Sequence, residues 1–140
     1  MLPGEQGGSL SKQIDVVGAV IIEGGFILCA QRGKEGNLPG LWEFPGGKIE
    51  IGESRQEALR REIHEELTCT IDVESKIVTT LYEYDFGLVS LTTFYCTLVS
   101  GRPKASEHDS IRWLHPSQLD TLTWAPADMP AIAQIQKDLN

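Results

Sequence analysis

Residues 44–69 read FPGGKIEIGESRQEALRREIHEELTC, and this stretch decides how the rest of the chain is organised. It places Glu62, Glu65 and Glu66 at offsets of three and four residues. On a helix these offsets put the three carboxylates on one face, with Cβ atoms about 5–6 Å apart, where like charges repel. Hard cations such as Mg²⁺ and Mn²⁺ prefer oxygen ligands. The stretch therefore predicts a helix whose carboxylates converge on a divalent cation.

The residues around the carboxylates favour the same interpretation. Ser54 and Glu57 form the pattern of a capping box, which predicts that the helix begins at Ser54. An apolar stripe of Leu59, Ile63 and Leu67 adjoins the carboxylate face without overlapping it. The helix can therefore pack on a sheet and still expose its acids. The preceding loop, residues 45–47, contains two glycines that allow bare backbone to approach what the helix holds.

Composition limits the classes of protein. At 140 residues the chain is long enough for one domain with a core of its own. A net charge of −8 argues against sequence-independent binding to nucleic acid polymers. The three cysteines are widely spaced and form no CxxC motif, as in a reducing compartment. Neither a secretory signal nor a membrane span is visible in the sequence, so we predict a cytoplasmic protein.

The order of the predicted elements indicates an α/β fold. Residues 1–12 are predicted to be a flexible tail, and residues 13–140 a single domain. A hairpin with its turn at Gly24-Gly25 comes first, followed by a short strand over residues 41–44 and the carboxylate helix. Further strands are predicted over residues 72–85, 88–99 and 111–114, followed by a short helical turn at residues 115–119 and a last helix that ends near Leu139. Strands before, between and after two helices predict a mixed sheet sandwiched between helices.

The spacing Gly47-x5-Glu53-x7-Arg61-Glu62-Ile63-x-Glu65-Glu66-x-Thr68-Cys69 resembles the Nudix box, G-x5-E-x7-R-E-U-x-E-E-x-G-U, in which U is apolar. Thr68 departs from the pattern, because the box has glycine at this helix end, where the left-handed conformation is required. Residues 30–32 and 41–50 resemble the MutT branch of the Nudix family. The tail over residues 124–130 resembles the bacterial CTP pyrophosphohydrolases of that branch.

The resemblance implies a Nudix fold and the hydrolysis of nucleoside triphosphates, with Mg²⁺ or Mn²⁺ as cofactor, to a nucleoside monophosphate and pyrophosphate. Candidate substrates are CTP, dCTP, a 5-substituted dCTP and 8-oxo-dGTP. The implied metal ligands are the backbone carbonyl of Gly46 and the side chains of Glu62, Glu65, Glu66 and Glu107. In the same way, Glu62 is implied to position the attacking water, Arg61 to pair with Glu53, Lys48 to offset phosphate charge, and Arg32 to lie near the nucleotide. Several carboxylates share the metals, so the general base stays open among them.

Several residues admit two interpretations. Asp128 precedes a helix, where Asp is a favoured N-cap. The resemblance instead implies that Asp128 faces the base, where an ionised carboxylate would accept from an amino group such as cytosine N4. Glu107 lies in a polar loop beside His108 and Asp109, which could also reach a metal. His64 is predicted to lie at the surface, whereas Trp113 and Trp124 are predicted to lie in the core.

Two other functions stay open. One is a dinucleoside polyphosphate or ADP-ribose hydrolase, because Tyr82 and Tyr84 lie where tyrosine is often met in such enzymes. The other is a catalytically silent nucleotide-binding Nudix domain, although such domains usually lack part of the carboxylate set. The sequence is compatible with either a monomer or a homodimer.

Overall fold

The computed structural model describes residues 13–139, so the tail predicted over residues 1–12 lies outside the described residues. Within that range the helices α1 and α2 span Arg55–Leu67 and Met129–Asp138, and 3-10 helices span Pro116–Thr121 and Pro126–Asp128. The strands β1 to β7 span, in order, Gln13–Glu23, Phe26–Arg32, Trp42–Glu43, Gly46–Lys48, Thr70–Tyr84, Gly87–Ser100 and His108–Leu114.

The strands form one mixed sheet with β1 near its centre. Five strands follow the order β3-β2-β1-β6-β5, while β4 pairs with β1 and β7 pairs with β2. The pairing of β1 with β6 is parallel, and the other pairings are antiparallel. The predicted hairpin between β1 and β2 is present, with Gly24 and Gly25 both at positive φ in its turn. These glycines allow the two-residue connection that a side chain would strain.

Each face of the sheet is covered by one of the helices. On one face, apolar side chains of β1 and β2 pack against the buried stripe of α1. On the other face, α2 packs with both Trp42 and Trp124. The predicted sandwich of a mixed sheet between helices is therefore confirmed. Trp124 is buried as predicted, and Trp113 packs at the edge of the cluster beneath α1 while only partly buried.

Helix α1 begins and ends as local chemistry dictates. The Ser54 side chain accepts from the backbone N–H of Glu57, and the Glu57 side chain accepts from the backbone N–H of Ser54, which completes the predicted capping box. At the other end, Thr68 takes φ 56° and ψ 35°, and its N–H donates to the carbonyl of His64. Thr68 thus adopts the left-handed conformation that glycine would adopt with less strain. His64 is exposed, as predicted.

The structure differs from the sequence-based prediction at three places. Gly46 and Gly47, predicted to lie in a loop over residues 45–47, belong to strand β4, because they pair with Gly18 and Val17 of β1. Strand β7 begins at His108 rather than at residue 111. The last helix is preceded by a 3-10 helix and ends at Asp138. Over residues 13–139, no helix combines the length and the apolar character needed to cross a bilayer.

Candidate active site

Strand β4 brings the glycine pair directly against helix α1. A Cβ atom added to Gly47 would lie 2.5 Å from both carboxylate oxygens of Glu62, and one added to Gly46 would strike the carbonyl of Val17. A side chain at either position would therefore force its neighbours apart. Both glycines are needed for close approach, Gly47 to a carboxylate and Gly46 to the backbone of the neighbouring strand.

The Arg61 guanidinium links the carboxylates of α1 to the loop before the helix. It forms a two-point ion pair with Glu53, with Nε 2.6 Å from Oε2 and Nη2 2.9 Å from Oε1. The same guanidinium contacts Glu62 at 3.1 Å and Glu65 at 3.3 Å, and donates to the carbonyl of Lys48 at 3.0 Å. The implied pair of Arg61 and Glu53 is thus present, and a two-point contact of this kind fixes orientation as well as distance.

This ion pair shifts the pKa values of both partners in the expected directions. Hydrogen bonds from Arg61 lower the pKa of the Glu53 carboxyl group. The hydrogen bond to Glu53 raises the pKa of Arg61, and contacts with Glu62 act in the same direction. Both shifts favour the charged forms of the two groups, and the charged pair links α1 to the loop before it.

Glu66 is the carboxylate of α1 in the least favourable surroundings. Its Oε1 atom is buried without a hydrogen-bond partner among the described residues. Burial raises the pKa of Glu66, and the nearby charges of Glu62, Glu107 and Glu43 raise it further. The structure thus brings Glu107 within electrostatic reach of the helix, although Glu107 is exposed in the loop just before β7. Such a cluster favours a proton or a cation in its midst.

The donor set fits a hard divalent cation in its chemistry. The candidate ligands are all oxygens, and the buried Oε1 of Glu66 has no hydrogen-bond partner among the described residues. The side chains do not yet enclose an ion: over residues 13–139, no three Asp, Glu, His or Cys residues already form a metal-binding group. Glu65 in particular faces Arg61 and is more than half exposed. It would have to turn away from Arg61 to bind a cation.

A cleft of about 870 Å³ runs from these acids to the 3-10 helix before α2. Gly46, Gly47, Lys48 and Glu66 line it near α1, and Tyr84, Phe86, Ala127 and Asp128 also line it. The rings of Tyr84 and Phe86 stack with their centroids 5.0 Å apart and nearly parallel. The Tyr84 hydroxyl accepts from the N–H of Ala127, which ties the strand end to the 3-10 helix.

Asp128 is buried and lines the cleft, and of its two sequence-based interpretations the structure contradicts the helix cap, while the contact with the base stays a prediction. Its side chain caps no helix. Instead Oδ1 accepts from the N–H of Phe44 at 3.1 Å. Burial raises the pKa of Asp128 well above its usual value, and the charge of Glu43 raises it further. This shift favours the neutral acid over the ionised carboxylate that the sequence-based interpretation assumes.

Arg32 lies on the wall of the same cleft, with a partner that the sequence did not indicate. Its Nη1 is 2.8 Å from Oε1 of Glu43, and its Nε donates to the carbonyl of Asn37 at 2.8 Å. The other oxygen of Glu43 lies 2.9 Å from Nε2 of His108. Glu43 stood inside the MutT-like stretch without an assigned role. The sequence indicates its partner His108 only as an alternative metal ligand beside Glu107.

Comparisons with known proteins agree with this geometry. A model of the NUDIX domain family matches residues 12–135. The chain belongs to the Nudix hydrolase family. It is 36% identical to a CTP pyrophosphohydrolase of Escherichia coli K12 over 121 residues, which cover 86% of this chain and 90% of that protein. It is 37% identical to a putative 8-oxo-dGTP diphosphatase 2 of Mycobacterium tuberculosis over 131 residues, or 91% of each chain.

Solved Nudix structures share the fold. A solution structure of MutT, a Nudix hydrolase from methicillin-resistant Staphylococcus aureus 252, superposes with a TM-score of 0.76 at 52% identity, covering 91% of this chain and 98% of that one. The resemblance to the Nudix family and its MutT branch is thus confirmed, as is the prediction that the chain is an enzyme. The roles implied for individual Nudix residues stay predictions.

Proposed function

We propose that this Nudix hydrolase cleaves nucleoside triphosphates to a nucleoside monophosphate and pyrophosphate, with CTP-type nucleotides or 8-oxo-dGTP as substrate. The observation that carries the proposal is the cleft that runs from Glu66 of α1, beside Gly46, Gly47 and Lys48, to Asp128. A pocket of several hundred Å³ with a few convergent polar groups is what a small ligand requires. Polyphosphate would lie by α1, and the base would lie between Asp128 and the stacked rings. Relatives named for CTP and for 8-oxo-dGTP support this assignment.

The residues divide the work along the cleft. Lys48 and Arg32 bind phosphate oxygens, while Glu62 orients the attacking water and holds its proton on a carboxylate oxygen. The Arg61 and Glu53 pair keeps α1 in register with β4. Gly46 through its carbonyl, together with the side chains of Glu62, Glu65, Glu66 and Glu107, would hold Mg²⁺ or Mn²⁺. Such an ion, when bound, neutralises charge that develops on the phosphate oxygens.

A neutral Asp128 alters how a base is read. A carboxylic acid donates one hydrogen bond and still accepts others. Because Oδ1 accepts from Phe44, the proton belongs on Oδ2, which can donate to an acceptor on the base. Uracil O4 and the ring nitrogen N3 of cytosine are both acceptors, so a neutral Asp128 can donate to either base. The ionised form instead repels O4 and favours the amino group of cytosine.

The test is a panel of CTP, dCTP, UTP, dTTP, dGTP and 8-oxo-dGTP with Mn²⁺, assayed for pyrophosphate at several pH values. We expect hydrolysis of at least one nucleotide, and a preference for CTP over UTP that widens as the pH rises through the pKa of Asp128. Asp128→Asn is the matched variant, because its amide does not titrate, and its ranking should not change with pH. Absence of pyrophosphate release from every nucleotide would refute the proposal.

The two alternative functions enter the same panel. Diadenosine tetraphosphate and ADP-ribose test for a hydrolase of other nucleoside diphosphate linkages. The structure does not favour this second class of hydrolase, because Tyr84 already has partners within the fold. Its hydroxyl accepts a hydrogen bond from the Ala127 N–H, and its ring stacks on Phe86. A silent nucleotide-binding domain would bind nucleotides and hydrolyse none of them.

A further inference from the structure

The two carboxylate oxygens of Glu43 contact side chains from two different strands beside the cleft. Oε1 lies 2.8 Å from Arg32 Nη1 at the end of β2, and Oε2 lies 2.9 Å from His108 Nε2 at the start of β7. A carboxylate oxygen accepts hydrogen bonds, so both partners donate to Glu43. The Glu43 side chain is 19% exposed and that of His108 only 5%. The three side chains therefore form a partly buried bridge across neighbouring strands.

The strand register explains why these residues meet. Ala30 of β2 pairs with Glu43 of β3, and Arg32 pairs with His108 of β7. Residues two apart on a strand share one face of the sheet. Arg32 and Glu43 therefore lie on the same face, diagonally across one strand pair. The arrangement cannot be recognised from the sequence, because 11 residues separate Arg32 from Glu43 and 65 separate Glu43 from His108.

The bridge occupies only part of Arg32. A guanidinium has five N–H donors in a fixed plane. In the structure Nε donates to the carbonyl of Asn37 and Nη1 donates to Glu43. Among residues 13–139 the other three N–H groups of Arg32 make no further hydrogen bond, and Arg32 lines the cleft. Two fixed donors set the plane of the guanidinium and thereby the direction of the other three.

We propose that Glu43 is a positioning residue that holds Arg32 in the orientation that binds the phosphates of the nucleotide, with His108 holding Glu43 in place. This rests on the proposed function of the cleft and deepens it. The alternative is that Glu43 acts through its charge alone. The two ideas predict effects of opposite sign. Removing a negative charge from the cleft should tighten binding of a polyanion, whereas releasing Arg32 should weaken it.

The experiment is a double-mutant cycle on Glu43→Gln and Arg32→Ala. The probe is cytidine 5′-(α,β-methylene)triphosphate, which resists cleavage, and its affinity is measured by calorimetry with Mn²⁺. We expect Glu43→Gln to weaken binding at least about tenfold, the scale of a charge-assisted hydrogen bond. In the Arg32→Ala background the same substitution should change the affinity less than about twofold. With CTP as substrate, KM should rise more than kcat falls, because a binding contact is lost.

Two further variants keep the result interpretable. Glu23→Gln removes a carboxylate from the exposed Arg102 ion pair, which has the same 2.8 Å separation, and should leave the affinity unchanged. His108→Ala leaves Glu43 charged but unsupported. It should weaken binding by a smaller factor, again only when Arg32 is present. Thermal unfolding of each variant shows whether a loss of affinity merely follows a loss of fold.

The outcomes separate this proposal from the proposed function. Tighter binding by Glu43→Gln, or an equal loss with and without Arg32, overturns the positioning role even if CTP is hydrolysed. Coupling between Glu43 and Arg32 in analogue binding, with no hydrolysis of any nucleotide, supports the positioning role and refutes the enzymatic proposal. Failure of the wild-type protein to bind the analogue overturns both.

Discussion

Gly47→Ala adds one methyl group at the point where β4 meets helix α1. The new Cβ would lie 2.5 Å from Oε1 and from Oε2 of Glu62, far inside van der Waals contact. The φ angle of Gly47 lies outside the left-handed region, so alanine can adopt the backbone conformation without strain. The perturbation is therefore purely steric and falls on the carboxylate proposed to orient water.

The structure allows the cost to be divided between stability and activity. Glu62 can yield by rotating its side chain, which costs about 0.5–1.5 kcal/mol when the rotamer is poor. It also gives up the 3.1 Å contact with Arg61, a partly exposed ion pair worth under about 1 kcal/mol. We expect the free energy of unfolding to fall by about 1–2 kcal/mol. Displacing a catalytic group by about 1 Å can cost ~10²-fold in rate, so kcat/KM should fall by about that factor.

Gly46→Ala is the matched control, because the same methyl group one residue earlier meets backbone instead. It would strike the Val17 carbonyl and lie 2.9 Å from the Cα atom of Gly18, so β1 and β4 must part. Thermal unfolding and CTP hydrolysis with Mn²⁺ are measured on both variants. We expect Gly46→Ala to be the less stable of the two by several degrees. If Gly47→Ala keeps more than half of the wild-type kcat/KM, Glu62 does not act from the position seen here.

Three further predictions concern helix α1. Glu62→Gln should lower kcat at least ~10²-fold with folding intact, as for a positioned acid–base group, and a variant near wild-type activity would show that another carboxylate carries the step. Glu66→Gln should stabilise the metal-free protein, because burial raises the pKa of Glu66 in the folded state. The stability of the wild type therefore falls as the pH rises above the ordinary Glu pKa of about 4.3, where the unfolded chain loses its proton first. The unfolding midpoint of the variant should exceed that of the wild type by a margin that grows as the pH rises. Mn²⁺ should make the wild type the more stable of the two, because its binding adds about 2.7 kcal/mol at a hundredfold excess over Kd. Equal unfolding midpoints of the two proteins with EDTA would contradict a destabilising charge at Glu66. Thr68→Gly should raise the unfolding midpoint by about 2–4 °C, because it relieves about 1 kcal/mol of strain in the left-handed backbone. A lower midpoint would mean that the lost hydrogen bond from the Thr68 hydroxyl to the Leu67 carbonyl outweighs the relieved strain.

The features that could be predicted from the sequence depend on residues close to one another in the chain. The capping box, the stripe of α1 and the acids at Glu62, Glu65 and Glu66 all lie within a few residues of one another, so helix periodicity places them correctly. The sequence leaves the helix end at Thr68 open, because threonine stands where the box has glycine, and only the structure shows that Thr68 is left-handed. The glycine pair was identified as a close approach, although its strand pairing was not.

The features that could not be predicted depend on packing between distant elements. Asp128 stands before a helix, as a cap would, and only the fold shows that its side chain points instead to the N–H of Phe44, 84 residues away. Its burial then shifts its protonation, which no local pattern indicates. Glu43 and His108 meet for a similar reason, since β2 separates their strands and sheet register alone aligns them.

The charges along the cleft explain how an acidic chain can handle an anionic substrate. Within the described residues the lining carries three basic side chains, Arg32, Lys34 and Lys48, against the acids Glu35, Glu43, Glu66, Glu107, Asp109 and Asp128. The raised pKa of Asp128 favours its neutral form, and Glu43 is engaged by Arg32 and His108. The acidic excess that is left includes Glu66 and Glu107, beside the α1 carboxylates. Because a bare triphosphate would be repelled there, we expect this cleft to bind a nucleotide together with its divalent cation, and binding of the CTP analogue should weaken when EDTA replaces Mn²⁺.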